Sequence, residues 1–119
     1  MTYCVAVKLK AGLVFLSDSR TNAGLDQIST FRKVTVFERP GERVMVLLTA
    51  GNLAISQAVV NVLNEHAQHP DMTSIWGAKN LFEAAIEVGA ALREIHRRDA
   101  EAFKEHHIDF NASLIFGGQ

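Results

Sequence analysis

The chain has 119 residues, room for one domain, and its 48% hydrophobic and 21% charged residues are an ordinary globular composition rather than that of a disordered chain. A formal net charge of −1 leaves no electrostatic footprint for nucleic acid or an anionic membrane, and the single cysteine, Cys4, excludes an internal disulfide framework and fits a reducing compartment. No apolar run approaches the roughly 18 residues of a membrane span and no basic-then-apolar leader precedes Thr2, so the expected location is the cytoplasm, with neither nucleic acid nor membrane as partner.

Residues 5–9 alternate in polarity and predict a strand, while Leu13, Val14, Phe15 and Leu16 are continuously apolar, as in a strand covered on both faces. The two pair through a short turn at Gly12. Residues 21–30, with Asn22, Gly24 and Asp26, are expected to be a polar loop. A second hairpin joins residues 34–38 to residues 43–49, and Pro40 followed by Gly41 suits a type II turn. From Asn52 the apolar period lengthens to that of a helix, with Ile55, Ala58, Val59, Val62 and Leu63 on one stripe and Pro70 as a breaker. A second helix is predicted from about residue 78 to about residue 104, with Leu81, Phe82, Ala85, Ile86, Gly89, Leu92 and Ile95 inward and the charged run 93–105 solvated. Residues 108–118 return to strand character. Two hairpins, two helices and a strand define an α+β class with helices on one face of a sheet. No internal repeat, linker or low-complexity segment divides the chain, which reads as one domain or one part of one.

The chemistry gathers at the start. If Met1 is removed, Thr2 carries both a hydroxyl nucleophile and a free α-amine. An unperturbed α-amine titrates at about pH 7.7 to 8.0, so near neutral pH it can act as general base for its own side-chain oxygen. Strand residues two apart share a face, which sets Thr2 with Cys4 and Ala6 and turns Tyr3 the other way. Asp18 closes the returning strand beside Thr2, and Lys33 stands before the next apolar strand. An ammonium beside Thr2 lowers the amine's proton affinity and polarises the hydroxyl, and Asp18 holds that ammonium by ion pairing. Thr49, Ala50, Gly51 and Asn52 end a strand and open a helix, where the Gly51 N–H is placed to meet a developing oxyanion.

Each residue also has a plainer reading. A small residue at position 2 simply permits methionine removal, Asp18 suits a turn, Lys33 after Arg32 suits a solvated pair, and Gly51 suits a helix entry. His66 and His69 lie three apart and His106 and His107 are adjacent, but without accompanying ligands at metal-site spacing they read as polar helix-end residues. No metal and no cofactor is expected. Met72 and Trp76 read as packing or subunit-contact residues.

The Met-Thr start, the run Ser17-Asp18-Ser19-Arg20-Thr21, the strand entry Arg32-Lys33-Val34 and the run Leu48-Thr49-Ala50-Gly51 together resemble the opening half of a proteasome-type β subunit, an N-terminal nucleophile hydrolase. Within that family, the lack of a propeptide before Thr2 and the run from Thr49 to Ser56 are most similar to the bacterial Anbu group. The resemblance implies a four-layer α-β-β-α sandwich of which this chain carries the front portion, the remaining cover of its last strand lying in downstream sequence. It implies Thr2 as nucleophile and base, Lys33 as activating cation, Asp18 as its partner, Gly51 as oxyanion donor and Arg20 as a structural residue beside the site. By offset from the same motifs it places Thr21, Phe31, Thr49 and Leu53 along the substrate pocket. Two positions depart from the family pattern: Asn52 replaces a second glycine, and Tyr3 replaces the threonine often found there. The supporting aspartate and serine that the family places downstream have no counterpart to name.

The implied activity is threonine-type hydrolysis of peptide bonds inside a self-assembled homo-oligomer, with a peptide or unfolded protein as substrate. Two other readings stay open: a non-catalytic assembly or scaffold subunit of the same fold, and an amidase acting on small amides. The residues do not identify an ATPase partner.

Overall fold

The computed structural model describes residues 2–22, 28–30, 32–106 and 111–119; the side chains of residues 20–22 and 28–30 and of Phe103 lie outside the description. The chain divides into two compact units, Met1–Gly51 with Ser113–Gln119, and Asn52–Ala112.

The first unit is all strand. β1 (Cys4–Leu9) and β2 (Gly12–Ser17) form an antiparallel hairpin in which Cys4 faces Ser17 and Leu9 faces Gly12. β3 (Arg20–Asn22) and β4 (Ile28–Thr30) form a second short ladder. This corrects the expected polar loop over residues 21–30, whose two ends are paired strands. Two three-residue strands, Arg-Thr-Asn and Ile-Ser-Thr, hold a single apolar residue between them and carry no apolar alternation, so the period-two signal is missing even where the ladder forms. β5 (Val34–Arg39) and β6 (Arg43–Gly51) make the expected hairpin. Its turn closes with the Glu42 N–H donating to the Arg39 carbonyl at 3.0 Å, and Gly41 at φ +76° accepts the positive dihedral that the second central position of a type II turn requires.

β7 (Ala112–Gly118) adds to the other side of β6, giving the order β5-β6-β7. Val44 and Gln119 exchange N–H···O bonds of 3.2 and 2.8 Å, and the Asn52 N–H donates to the Asn111 carbonyl at 2.8 Å, so β7 runs antiparallel to β6. As the central strand β6 is covered on both faces, and Met45, Leu47, Leu48 and Thr49 are all buried. The β1–β2 hairpin stacks on the three-stranded sheet. A Cβ built on Gly117 of β7 would lie 2.7 Å from the Phe15 ring of β2, so a side chain there would displace that ring. The opposite face of the hairpin, with Val7, Leu9, Val14 and Leu16, is exposed.

In the second unit α1 (Leu53–Gln68) starts where the sequence placed it, because the Asn52 carboxamide accepts from the N–H groups of Ala54 at 2.9 Å and Ile55 at 3.3 Å. Ile55, Val59, Val62 and Leu63 are buried as expected, with Ser56 in addition, while Ala58 is half-buried. The second helix, α2 (Leu81–Glu105), begins later than residue 78. Asn80 caps it by accepting from the Glu83 N–H at 2.9 Å, and the Glu83 carboxylate reaches back past the cap to accept from the Lys79 N–H at 2.9 Å, which together fix the helix start. The two helices touch, and His66 of α1 lies 3.7 Å from Glu94 of α2.

The inward face of α2 is corrected in part: Ile95 is buried as expected and Gly89 and Leu92 are half-buried, but Leu81, Phe82, Ala85 and Ile86 are exposed, Phe82 at 75%, and Ala84, Val88 and Ala91 are buried instead. Two apolar stripes run along the first turns of this helix, one with Leu81, Phe82 and Ile86 and one with Ala84, Val88 and Ala91; periodicity favours the bulkier, but the second is the one that is buried.

The choice of stripe has a measurable consequence. Ile95→Ala should destabilise the protein by about 2–5 kcal/mol, as deletion of buried aliphatic groups does, while Phe82→Ala should change stability by no more than about 0.5 kcal/mol. Urea unfolding of both variants is the check, and equal losses would contradict the assignment of the buried stripe.

Candidate active site

Three segments of the first unit converge on one side chain. Lys33, 7% exposed, stands immediately before β5 and is held by its own backbone, since its carbonyl accepts from the Thr49 N–H of β6 at 3.0 Å. The Lys33 ammonium donates to both Asp18 carboxylate oxygens, at 3.1 and 2.9 Å, and to the Thr2 hydroxyl oxygen at 3.1 Å. Asp18, just beyond the end of β2, keeps a third of its side chain exposed. A cation this enclosed needs a compensating charge close by, and Asp18 supplies it. Because Lys33 donates to Thr2 Oγ1, that oxygen must accept there, which leaves its own proton free to be given to a base.

The start of the chain is tied to the same carboxylate. The Tyr3 N–H donates to Asp18 Oδ1 at 2.8 Å, and the Asp18 N–H donates to the Tyr3 carbonyl at 3.0 Å. The Tyr3 ring is 68% exposed, turned away as strand alternation requires.

Cys4 shares the strand face of Thr2, a neighbourhood that the two-residue spacing made visible. Its thiol donates to the Thr49 carbonyl at 3.7 Å, tying β1 to β6 two residues before Gly51. Burial pushes the thiol above its ordinary pKa, the Asp18 charge pushes it further, and the Lys33 charge opposes them. Gly51 ends β6 at φ +101°, a conformation that side-chain-bearing residues rarely adopt, immediately before the capping Asn52.

The structure therefore brings Thr2, Asp18 and Lys33 into direct contact and places Gly51 at the end of the strand to which Lys33 and Cys4 are both bonded. Thr49 is 6% exposed, its backbone engaged on both sides by Lys33 and Cys4. Leu53 is the first residue of α1, in the second unit. Arg20 and Thr21 lie in β3 with their side chains outside the description, and Phe31 lies outside the described residues. The Tyr3 peptide and the Cys4 thiol are the participants that residue types alone did not single out. Among the described residues no group of three or more His, Cys, Asp or Glu side chains is placed to hold a metal ion, and no helix is long and apolar enough to cross a membrane.

The raised thiol pKa gives a signed expectation. A folded pKa above the unfolded one lowers the thiolate fraction of the native protein at neutral pH. Iodoacetamide should therefore alkylate Cys4 more slowly in the folded protein than in urea at about pH 7.5, with the difference narrowing as pH rises through the native pKa. Faster alkylation of the folded protein would contradict this environment.

Comparison with proteins of known structure bears on this geometry. No protein-family model matches the sequence, and no curated protein matches it. Among solved structures, Anbu from Hyphomicrobium sp. strain MC1 is 44% identical with a TM-score of 0.83. Anbu from Yersinia bercovieri, described as an ancestral β-subunit, is 44% identical with a TM-score of 0.87. The helical assembly of the Anbu complex from Pseudomonas aeruginosa is 43% identical with a TM-score of 0.89. Each match covers 100% of this chain, and the chain spans 47–48% of the matched proteins, about half their length. Over its whole length, then, the chain is similar in sequence and fold to Anbu, a proteasome-like bacterial subunit.

Proposed function

We propose that this chain is the nucleophile-bearing part of an Anbu-type, proteasome-related subunit and that it hydrolyses peptide bonds through Thr2, exposed by removal of Met1. The observation that carries the reading is the Lys33 ammonium, 3.1 Å from Thr2 Oγ1 and 2.9 Å from Asp18. A buried lysine bonded to a threonine hydroxyl is what activation of a weak alcohol nucleophile demands.

In the proposed reaction the α-amine of Thr2 takes the Oγ1 proton as Oγ1 attacks the substrate carbonyl carbon. Lys33 stabilises the developing negative charge on Oγ1, and the Gly51 N–H receives the oxyanion. The amine then passes its proton to the leaving nitrogen, the C–N bond breaks, and the acyl group remains on Thr2 as an ester. Water, deprotonated by the same amine, releases it and restores the hydroxyl. Thr21, Phe31, Thr49 and Leu53 are the positions we assign to the substrate pocket, and Arg20 to its structural support. The family's four-layer sandwich is the fold we propose for the complete subunit, supported by the two stacked sheets and by the exposed apolar face of β1–β2, which awaits a further layer. Assembly with other copies of itself is supported by the helical assembly of the similar Pseudomonas aeruginosa protein.

Intact-mass spectrometry should find Thr2 at the N-terminus, and a peptide β-lactone should add one acyl group to the wild type and none to Thr2→Ala. Lys33→Ala should slow that acylation by about 10²-fold or more. Retained Met1 in protein that still acylates, or unchanged labelling of Thr2→Ala, would sink the assignment.

A further inference from the structure

We propose that Asp18 positions the nucleophile by clamping the Tyr3 peptide directly, in addition to holding Lys33; the inference rests on the reading of Thr2 as nucleophile. The register of the first hairpin sets Cys4 opposite Ser17, so the next rung outward pairs Tyr3 with Asp18. That rung is half backbone and half side chain. The Asp18 N–H donates to the Tyr3 carbonyl at 3.0 Å, but the Tyr3 N–H donates to the Asp18 side chain, to Oδ1 at 2.8 Å. The same Oδ1 accepts from Lys33 Nζ at 3.1 Å.

One carboxylate thus fixes two things at once. It holds the ammonium that touches Thr2 Oγ1, and it holds the nitrogen bonded to the Thr2 carbonyl carbon. Thr2 lies outside β1, which begins at Cys4, so its backbone is not carried by the strand ladder. The Tyr3–Asp18 rung is what extends the order of the hairpin to the residue whose oxygen must attack. Displacing a reacting group by as little as about 1 Å can cost about 10²-fold in rate, so a restraint one peptide from the nucleophile is a catalytic matter as well as a structural one. Asp18 is thereby a positioning residue by two routes, and the routes are chemically separable. Asparagine keeps an oxygen acceptor for the Tyr3 N–H and loses the charge that Lys33 pairs with, whereas alanine loses both.

Amide hydrogen exchange at Tyr3, followed by NMR, reads the clamp without reference to activity. Protection of that amide should stay within about twofold of the wild type in Asp18→Asn and in Lys33→Met, and fall by about tenfold or more in Asp18→Ala, as loss of one hydrogen bond predicts. Far-UV circular dichroism and the protection of amides in β5 and β6 establish that each variant is folded. In the Lys33→Met background, where the ammonium route is already gone, acylation of Thr2 by the peptide β-lactone should be about tenfold slower for Asp18→Ala than for Asp18→Asn. Equal Tyr3 protection in all variants, or loss of it in Lys33→Met, overturns the clamp while leaving the nucleophile assignment intact. A folded wild-type protein with Thr2 at its N-terminus that the lactone never acylates overturns the nucleophile reading, and with it the catalytic role given to Asp18 here.

Discussion

A lysine side chain taken almost wholly out of solvent is the constraint on which the site depends. Burying an ammonium is unfavourable unless a carboxylate and hydrogen-bond acceptors meet it within contact distance. Asp18 and the Thr2 hydroxyl do so, at 2.9 and 3.1 Å. Meeting that requirement draws together the end of β2, the entry of β5 and the start of the chain, which are separated by 15 and 31 positions in sequence. The burden falls unequally on the pair, since the Lys33 side chain is almost wholly enclosed while Asp18 keeps a third of its side chain exposed.

The rest of the first unit holds these three segments at fixed separations. β6 is the reference: the Lys33 carbonyl is bonded to its Thr49 N–H, and the Thr49 carbonyl takes the Cys4 thiol, so the strand entry of Lys33 and the start of β1 are both registered to the strand that ends at Gly51. The β1–β2 hairpin is seated by Phe15 over Gly117, where any side chain would meet the ring. Thr2 precedes β1, and the bond from the Tyr3 N–H to Asp18 ties the adjoining peptide to the end of the hairpin, the kind of restraint that preorganisation of a reacting group requires.

Much of this was legible in the residues. The alternation of residues 5–9, the Pro40-Gly41 turn and the Asn52 cap each state a local preference that the fold obeys, and the order Thr2, Asp18, Lys33 with the strands between them was enough to expect a cation held beside a hydroxyl. What stayed hidden depended on partners rather than on local pattern. The paired strands β3 and β4 lack apolar alternation, and the buried stripe at the start of α2 holds Ala84, Val88 and Ala91 rather than the larger Phe82 and Ile86. The Tyr3–Asp18 bond was invisible for a related reason: a backbone N–H gives no residue-type signal, and only the hairpin register shows which side chain it meets.

Similarity to the Anbu proteins along the full chain is consistent with this reading. The central claim is nevertheless local: a charged Lys33 side chain bonded at once to Asp18 and to the Thr2 hydroxyl. NMR of the lysine side-chain ¹⁵Nζ resonances at neutral pH tests it most directly. The expected result is one slowly exchanging ammonium signal, assigned to Lys33, that shifts both in Thr2→Ser and in Asp18→Asn. A Lys33 signal that exchanges as fast as those of Lys8 and Lys10 and ignores both substitutions would contradict it.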